Sequence, residues 1–146
     1  MEEAVRVKKD QYLQTTLGVQ LLLLPENQNE IVRMGEELRR IGVDYFTIKP
    51  FSQHPQSQQI LQVDYQQMLE LEKEVKELET DEYKVYFRAH SMQKLKCERN
   101  YEHCWALPFM TYIDAKGNLW PCIVFMGKEE LKYGNLNEEC FVDIWE

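Results

Sequence analysis

Four cysteines, Cys97, Cys104, Cys122 and Cys140, are the residues of this 146-residue chain best suited to chemistry, and all lie in its last third. Thiolates are soft, charged ligands that suit zinc and iron–sulfur clusters. Cys104 and Cys122 bracket two extended arms, 109–114 and 119–121, joined by Asp114-Ala115-Lys116-Gly117-Asn118. Gly117 is free to take positive φ, so the segment reads as a hairpin. A hairpin brings its ends together, which would turn two thiolates distant in sequence toward one metal centre. Four cysteines in a secreted mini-protein would suggest disulfides, whereas in a chain without a signal segment they point to metal or redox chemistry. If Cys97 and Cys140 also coordinate, the four thiolates suffice for a 4Fe–4S cluster or an all-thiolate zinc site. Otherwise those two are free thiols or pack as small hydrophobes.

Other candidates carry weaker signals. His54, His90 and His103 lack metal spacing and read as loop or surface residues, although His103 adjoins Cys104. Lys49 and Ser52-Gln53-His54 follow a strand's C-terminal end, the edge that faces ligands in open or barrel α/β sheets. An ordinary solvated loop would give the same residues. Trp105, Trp120 and Trp145 surround the cysteines, either to shield a cluster or to pack a core. Glu70, Glu72, Glu74 and Glu77 read as a solvated helix face. No P-loop, Gly-rich dinucleotide turn or Ser-His-Asp arrangement occurs.

The elements that position these residues fall into two unlike parts. Residues 1–88 alternate helix and strand. Residues 89–146 read as loops, a hairpin and a short helix. Glu3–Gln14 looks like a helix end, and Leu17–Leu24 like a strand buried on both faces. Asn27 or Asn29 would cap a helix over Glu30–Ile41, in which Ile31, Met34, Leu38 and Ile41 share one face and Gly42 ends the helix. Val43–Ile48 follows as a strand stopped by Pro50. This is a βαβ unit, whose strands should be parallel. Two strands alone leave an open edge, so the sheet needs more. Residues 51–62 read as loop, Tyr65–Leu78 as an amphipathic helix, and Tyr83–Phe87 as a third strand.

The net charge of −8, from 25 acidic and 17 basic residues, disfavours general nucleic-acid binding. Arg88, His90, Lys94, Lys96 and Arg99 form the one candidate basic cluster, diluted by Glu98 and Glu102. No apolar run approaches the roughly 20 residues that span a bilayer. The acidic start, Met1-Glu2-Glu3, is unlike a secretory signal, so the expected location is the cytoplasm.

A family resemblance gathers the C-terminal motifs. Cys104-x12-Gly117-x4-Cys122, then Tyr133-Gly134-Asn135-Leu136 and Phe141-Val142-Asp143-Ile144-Trp145, resembles the SPASM or Twitch extension of radical S-adenosylmethionine enzymes. The resemblance implies an auxiliary 4Fe–4S cluster on the hairpin cysteines. The βαβ unit with Tyr45-Phe46-Thr47-Ile48-Lys49-Pro50 is similar to late strands of that family's partial (β/α) barrel. The implied fold is α/β, a partial parallel barrel-type segment followed by a small SPASM-like hairpin and helix module. The implied activity is radical-based modification or oxidation of a peptide or small molecule. The family's Cys-x3-Cys-x2-Cys, which serves S-adenosylmethionine cleavage, is absent, since no cysteine precedes Cys97. The chain therefore reads as a fragment, inactive alone, whose partner would be the missing N-terminal half of the barrel. The alternative is a zinc-stapled protein-interaction module holding Cys97, Cys104, Cys122 and Cys140.

Overall fold

The chain forms two units in a computed structural model that describes every residue except Pro55, Gln59, Gln62 and residues 96–100. One unit comprises Met1–Gln53 with Ser57–Cys97, the other His54–Gln56 with Glu98–Glu146.

The first unit runs α1 (Glu2–Asp10), β1 (Gly18–Leu23), α2 (Ile31–Ile41), β2 (Tyr45–Pro50), α3 (Leu71–Lys76), β3 (Lys84–Phe87) and α4 (Ala89–Lys94). Its strands form a parallel sheet in the order β1-β2-β3, with Val19 opposite Phe46 and Phe46 opposite Val85. This helix-and-strand build agrees with the α/β expectation; three strands do not close a barrel. Because successive side chains alternate faces, Leu23, Phe46, Ile48, Val85 and Phe87 point one way, into a core completed by Val5, Ile31, Leu38, Val75 and Met92. Helices α2 to α4 thus cover one face of the sheet, and Val5 of α1 joins the same core. Met92 lies in this core, so the first unit extends past residue 88.

Several expectations need correction. β1 is not buried on both faces: Gln20 and Leu22 are exposed because the helices leave that side of the sheet open. β2 starts at Tyr45 rather than Val43 and takes in Pro50 as its last residue, opposite Leu23, where a missing N–H costs little. Neither Asn27 nor Asn29 caps α2. Asn27 instead accepts a hydrogen bond from the Leu24 N–H and donates to the Leu22 carbonyl, both at 2.9 Å. Tyr65–Leu78 divides into a 3-10 turn, Tyr65–Met68, and α3. The Asp64 carboxylate caps that turn by accepting from the Gln66 N–H, which starts the turn apart from α3. Gly42 does end α2 in the left-handed region, at φ 92°.

Polar side chains tie the sheet's ends. Tyr65 donates its hydroxyl to the Leu23 carbonyl and accepts from the Phe51 N–H, joining the ends of β1 and β2. Burial raises its pKa, against the opposing Phe51 bond. Tyr83 donates to the Gly35 carbonyl at 3.0 Å, and burial pushes its hydroxyl up to about 12. At the opposite end, Asp44 accepts from Lys8 at 2.6 Å and from the Leu17 N–H. Desolvation works against the charged Asp44, but these donors outweigh it and its pKa falls.

The second unit holds an antiparallel sheet of β4 (Tyr112–Ile113), β5 (Asn118–Trp120) and β6 (Gly134–Asn135), followed by α5 (Phe141–Trp145). Its buried large apolar side chains are Leu119 and Trp120 among the described residues. Trp105 is 73% exposed and Phe109 86%.

Candidate metal centre

The hairpin turn is organised by one carboxylate. Asp114 accepts from the N–H groups of Lys116 (2.8 Å) and Asn118 (3.0 Å), the Asn118 Nδ2 (2.8 Å) and the Trp120 Nε1 (3.0 Å). The Asn118 side chain is the largest influence that holds the carboxyl down to about 2; Trp120 and the two backbone donors add to it, against desolvation. The Asp114 carbonyl accepts from the Gly117 N–H, and Gly117 turns the chain at φ 82°, as the sequence predicts.

The Gly134-Asn135-Leu136 segment clamps this turn. The Asn135 side chain donates to the Lys116 carbonyl and to Asn118 Oδ1, while Asn137 Nδ2 donates to the same carbonyl at 2.8 Å. The Leu136 N–H donates to the Gly117 carbonyl, and the Tyr133 N–H to that of Leu119. A Cβ on Gly134 would stand 2.9 Å from Ile144 Cγ1, so β6 and α5 can approach only because the residue is glycine. On α5, Trp145 stacks on Phe141 and meets Tyr133 edge-on. Sequence reasoning missed the roles of Asp114, Asn135 and Asn137. The available signal was a carboxylate at the head of the turn with Asn118 and Trp120 close behind it.

Each described cysteine opens a helical turn. The Cys104 carbonyl accepts from the Leu107 N–H, that of Cys122 from Phe125, and that of Cys140 from Ile144. Cys104 and Cys140 are exposed and Cys122 is half-buried; none forms a disulfide. Cys97 lies outside the described residues, as do Lys96 and Arg99 of the basic cluster. The paired arms reach from the turn to Tyr112 opposite Trp120, extended by a hydrogen bond from Thr111 Oγ1 to the Trp120 carbonyl. Cys122 lies just beyond that point, whereas the 3-10 turn Leu107–Phe109 intervenes before Cys104. Among the described residues, no three His, Cys, Asp or Glu side chains converge as a metal-binding group. The donor set nevertheless suits a thiophilic centre: three thiols are accessible, and none is tied into a disulfide.

The histidines do not join this set. His54 accepts from the Gln56 N–H, and His90 and His103 are exposed. Of the tryptophans, only Trp120 packs as core, while Trp105 projects into solvent. A cavity of about 360 Å³ between Leu107, Pro108, Tyr133, Ile144 and Trp145 is lined by no described cysteine.

Residues 104–146 match the family model of SPASM, an iron–sulfur cluster-binding domain. The segment is thus similar in sequence to a domain whose business is metal binding, and the match begins at Cys104. No curated protein and no solved structure matches the chain. No described helix is long and apolar enough to cross a membrane.

Proposed function

We propose that residues 104–146 hold an auxiliary 4Fe–4S cluster, with Cys104 and Cys122 as ligands, in service of a radical S-adenosylmethionine oxidoreductase or maturase. Cys140 and Cys97 are the thiolates that would complete the set. The observation that carries this reading is the iron–sulfur family match over a segment containing three accessible, unpaired cysteines. When bound, the cluster supplies a centre that takes up an electron or binds substrate. The chain's own residues bind and orient it. Asp114 and Asn135 fix the turn between the two ligands, and Asp114 also holds the buried indole of Trp120, two residues before Cys122. Few apolar side chains are buried in this unit, so metal ligation is a natural source of its remaining cohesion.

In this reading the substrate is a peptide or small molecule. S-adenosylmethionine would be bound by a three-cysteine site that this chain lacks, supplied by the missing N-terminal half of a barrel that the parallel sheet of the first unit would continue. The test is anaerobic reconstitution of the full chain with iron and sulfide. Brown protein with broad absorbance near about 400 nm is expected from iron–sulfur charge transfer. Colourless protein that takes up zinc instead would replace this reading with a zinc-stapled interaction module.

A further inference from the structure

The N-terminal ends of β2 and β3 border a cavity of about 480 Å³, at the sheet end opposite the one where α/β proteins bind ligands. None of its lining residues belongs to the cysteine-bearing unit. Its apolar lining is Val5, Val43 and Tyr83, each at most 3% exposed. Charged residues from three places ring it. Lys9 and Arg39 come from the last turns of α1 and α2, where helix dipoles favour cations. Asp81 and Glu82 come from the turn before β3, which Thr80 fastens by accepting from the Glu82 and Tyr83 N–H groups at 3.3 and 3.1 Å. Lys8 and Asp44 complete the ring as an ion pair at 2.6 Å.

Three cations and three carboxylates line this one cavity, yet only Lys8 and Asp44 meet. Among the described residues, the side chains of Lys9, Arg39, Asp81 and Glu82 form no hydrogen bond or ion pair. Arg40, the next residue along, is by contrast held by Glu37 and Glu2. The two free cations lie over the same lining. A Cβ on Gly42 would stand 3.2 Å from Lys9 Nζ, and Arg39 is near enough to Tyr83 for its charge to oppose the rise in the hydroxyl's pKa. A purely anionic ligand would meet three carboxylates here and a purely cationic one three cations, so neither gains a net field. A ligand that carries both charges, held apart, matches both sides of the ring.

We propose that this cavity binds a free α-amino acid with a small aliphatic side chain. Its carboxylate lies between Lys9 and Arg39, with the guanidinium offering paired donors. Its ammonium faces Asp81 and Glu82, and its side chain lies against Val5 and Val43. Bound there, the amino acid bridges α1 and α2 to the turn before β3.

The test is an NMR titration of the full chain, isotope-labelled and free of metal, with L-valine as the probe. Isovalerate lacks the ammonium, isobutylamine lacks the carboxylate and glycine lacks the side chain, so these are the comparisons. L-valine should move the amide signals of Gly42, Val43 and Glu82, with all three comparisons much weaker. Arg39→Gln and an Asp81→Asn, Glu82→Gln double variant should each weaken the L-valine response by about tenfold or more, the scale of one charge-assisted hydrogen bond. Arg40→Gln, which removes a neighbouring cation held elsewhere, should leave it unchanged. Unmoved core signals of Phe46 and Ile48 would report an intact fold in each variant. The proposal is overturned if isovalerate, isobutylamine or glycine acts as strongly as L-valine, or if L-valine moves none of these signals. It is equally overturned if Arg39→Gln or the double variant responds like the parent, or if Arg40→Gln weakens the response as much as Arg39→Gln.

Discussion

Leu119→Ala should unfold the cysteine-bearing unit in the metal-free chain and leave the parallel-sheet unit folded. Leu119 has no solvent exposure, and with Trp120 it makes up the buried large apolar core of that unit among the described residues. Truncating a buried leucine costs about 2–5 kcal/mol through lost transfer energy and the cavity left behind. At about 0.05–0.15 kcal/mol per residue, a module the length of residues 104–146 has roughly 2–6 kcal/mol of stability in total. The loss therefore matches the whole reserve. Amide hydrogen exchange reads both units at once. Protection at Tyr133 and Leu136, whose N–H groups donate to Leu119 and Gly117, should vanish, while protection across Phe46–Ile48 should persist. Iron–sulfur reconstitution should restore it, because binding energy adds to folding energy. Unchanged protection in the metal-free variant would refute the claim that this unit is thinly cored.

Acid should loosen the same unit through Asp114. A carboxyl held down to about 2 stabilises the fold above its ordinary value near 3.8 and loses that contribution as pH falls through 2, so the Trp120 indole signal should shift in that window and Asp114→Asn should abolish the shift. Gly134→Ala places a methyl 2.9 Å from Ile144 Cγ1, and should release α5, seen as a change in Trp145 fluorescence as its stack on Phe141 loosens; an unaltered spectrum would contradict the close approach. The chain alone, reconstituted and reduced, should form no 5′-deoxyadenosine from S-adenosylmethionine, since no Cys-x3-Cys-x2-Cys occurs; its detection would show a cleavage site that the motif does not predict.

The βαβ unit was legible because periodicity and chain breaks agree: Ile31, Leu38 and Ile41 recur on one face, and Gly42 closes the helix. Met34 shares that spacing yet is 38% exposed, because the neighbouring Gly35 takes the buried place against Leu78 and Tyr83. The open sheet face was not legible, since an apolar run such as Leu21–Leu24 looks the same whether one side or both are covered. The hairpin was legible from Gly117 and its flanking arms. Its fastening was not, because the bonds from Asn135 and Asn137 to Lys116 span 19 and 21 residues and follow no local rule. Cys104 and Cys122 stood out by spacing, but the short turn that each opens, closed by one bond from the residue three places on, has no strong residue signature.

Whether Cys104 and Cys122 hold the proposed iron–sulfur cluster is decided by iron and sulfide analysis of a Cys104→Ala, Cys122→Ala double variant. The unsubstituted chain should retain iron and acid-labile sulfide in comparable amounts after anaerobic reconstitution and desalting. The double variant should retain neither, while Cys97→Ala or Cys140→Ala should lower retention less. Full retention of iron and sulfide by the double variant would contradict the assignment of Cys104 and Cys122 as ligands.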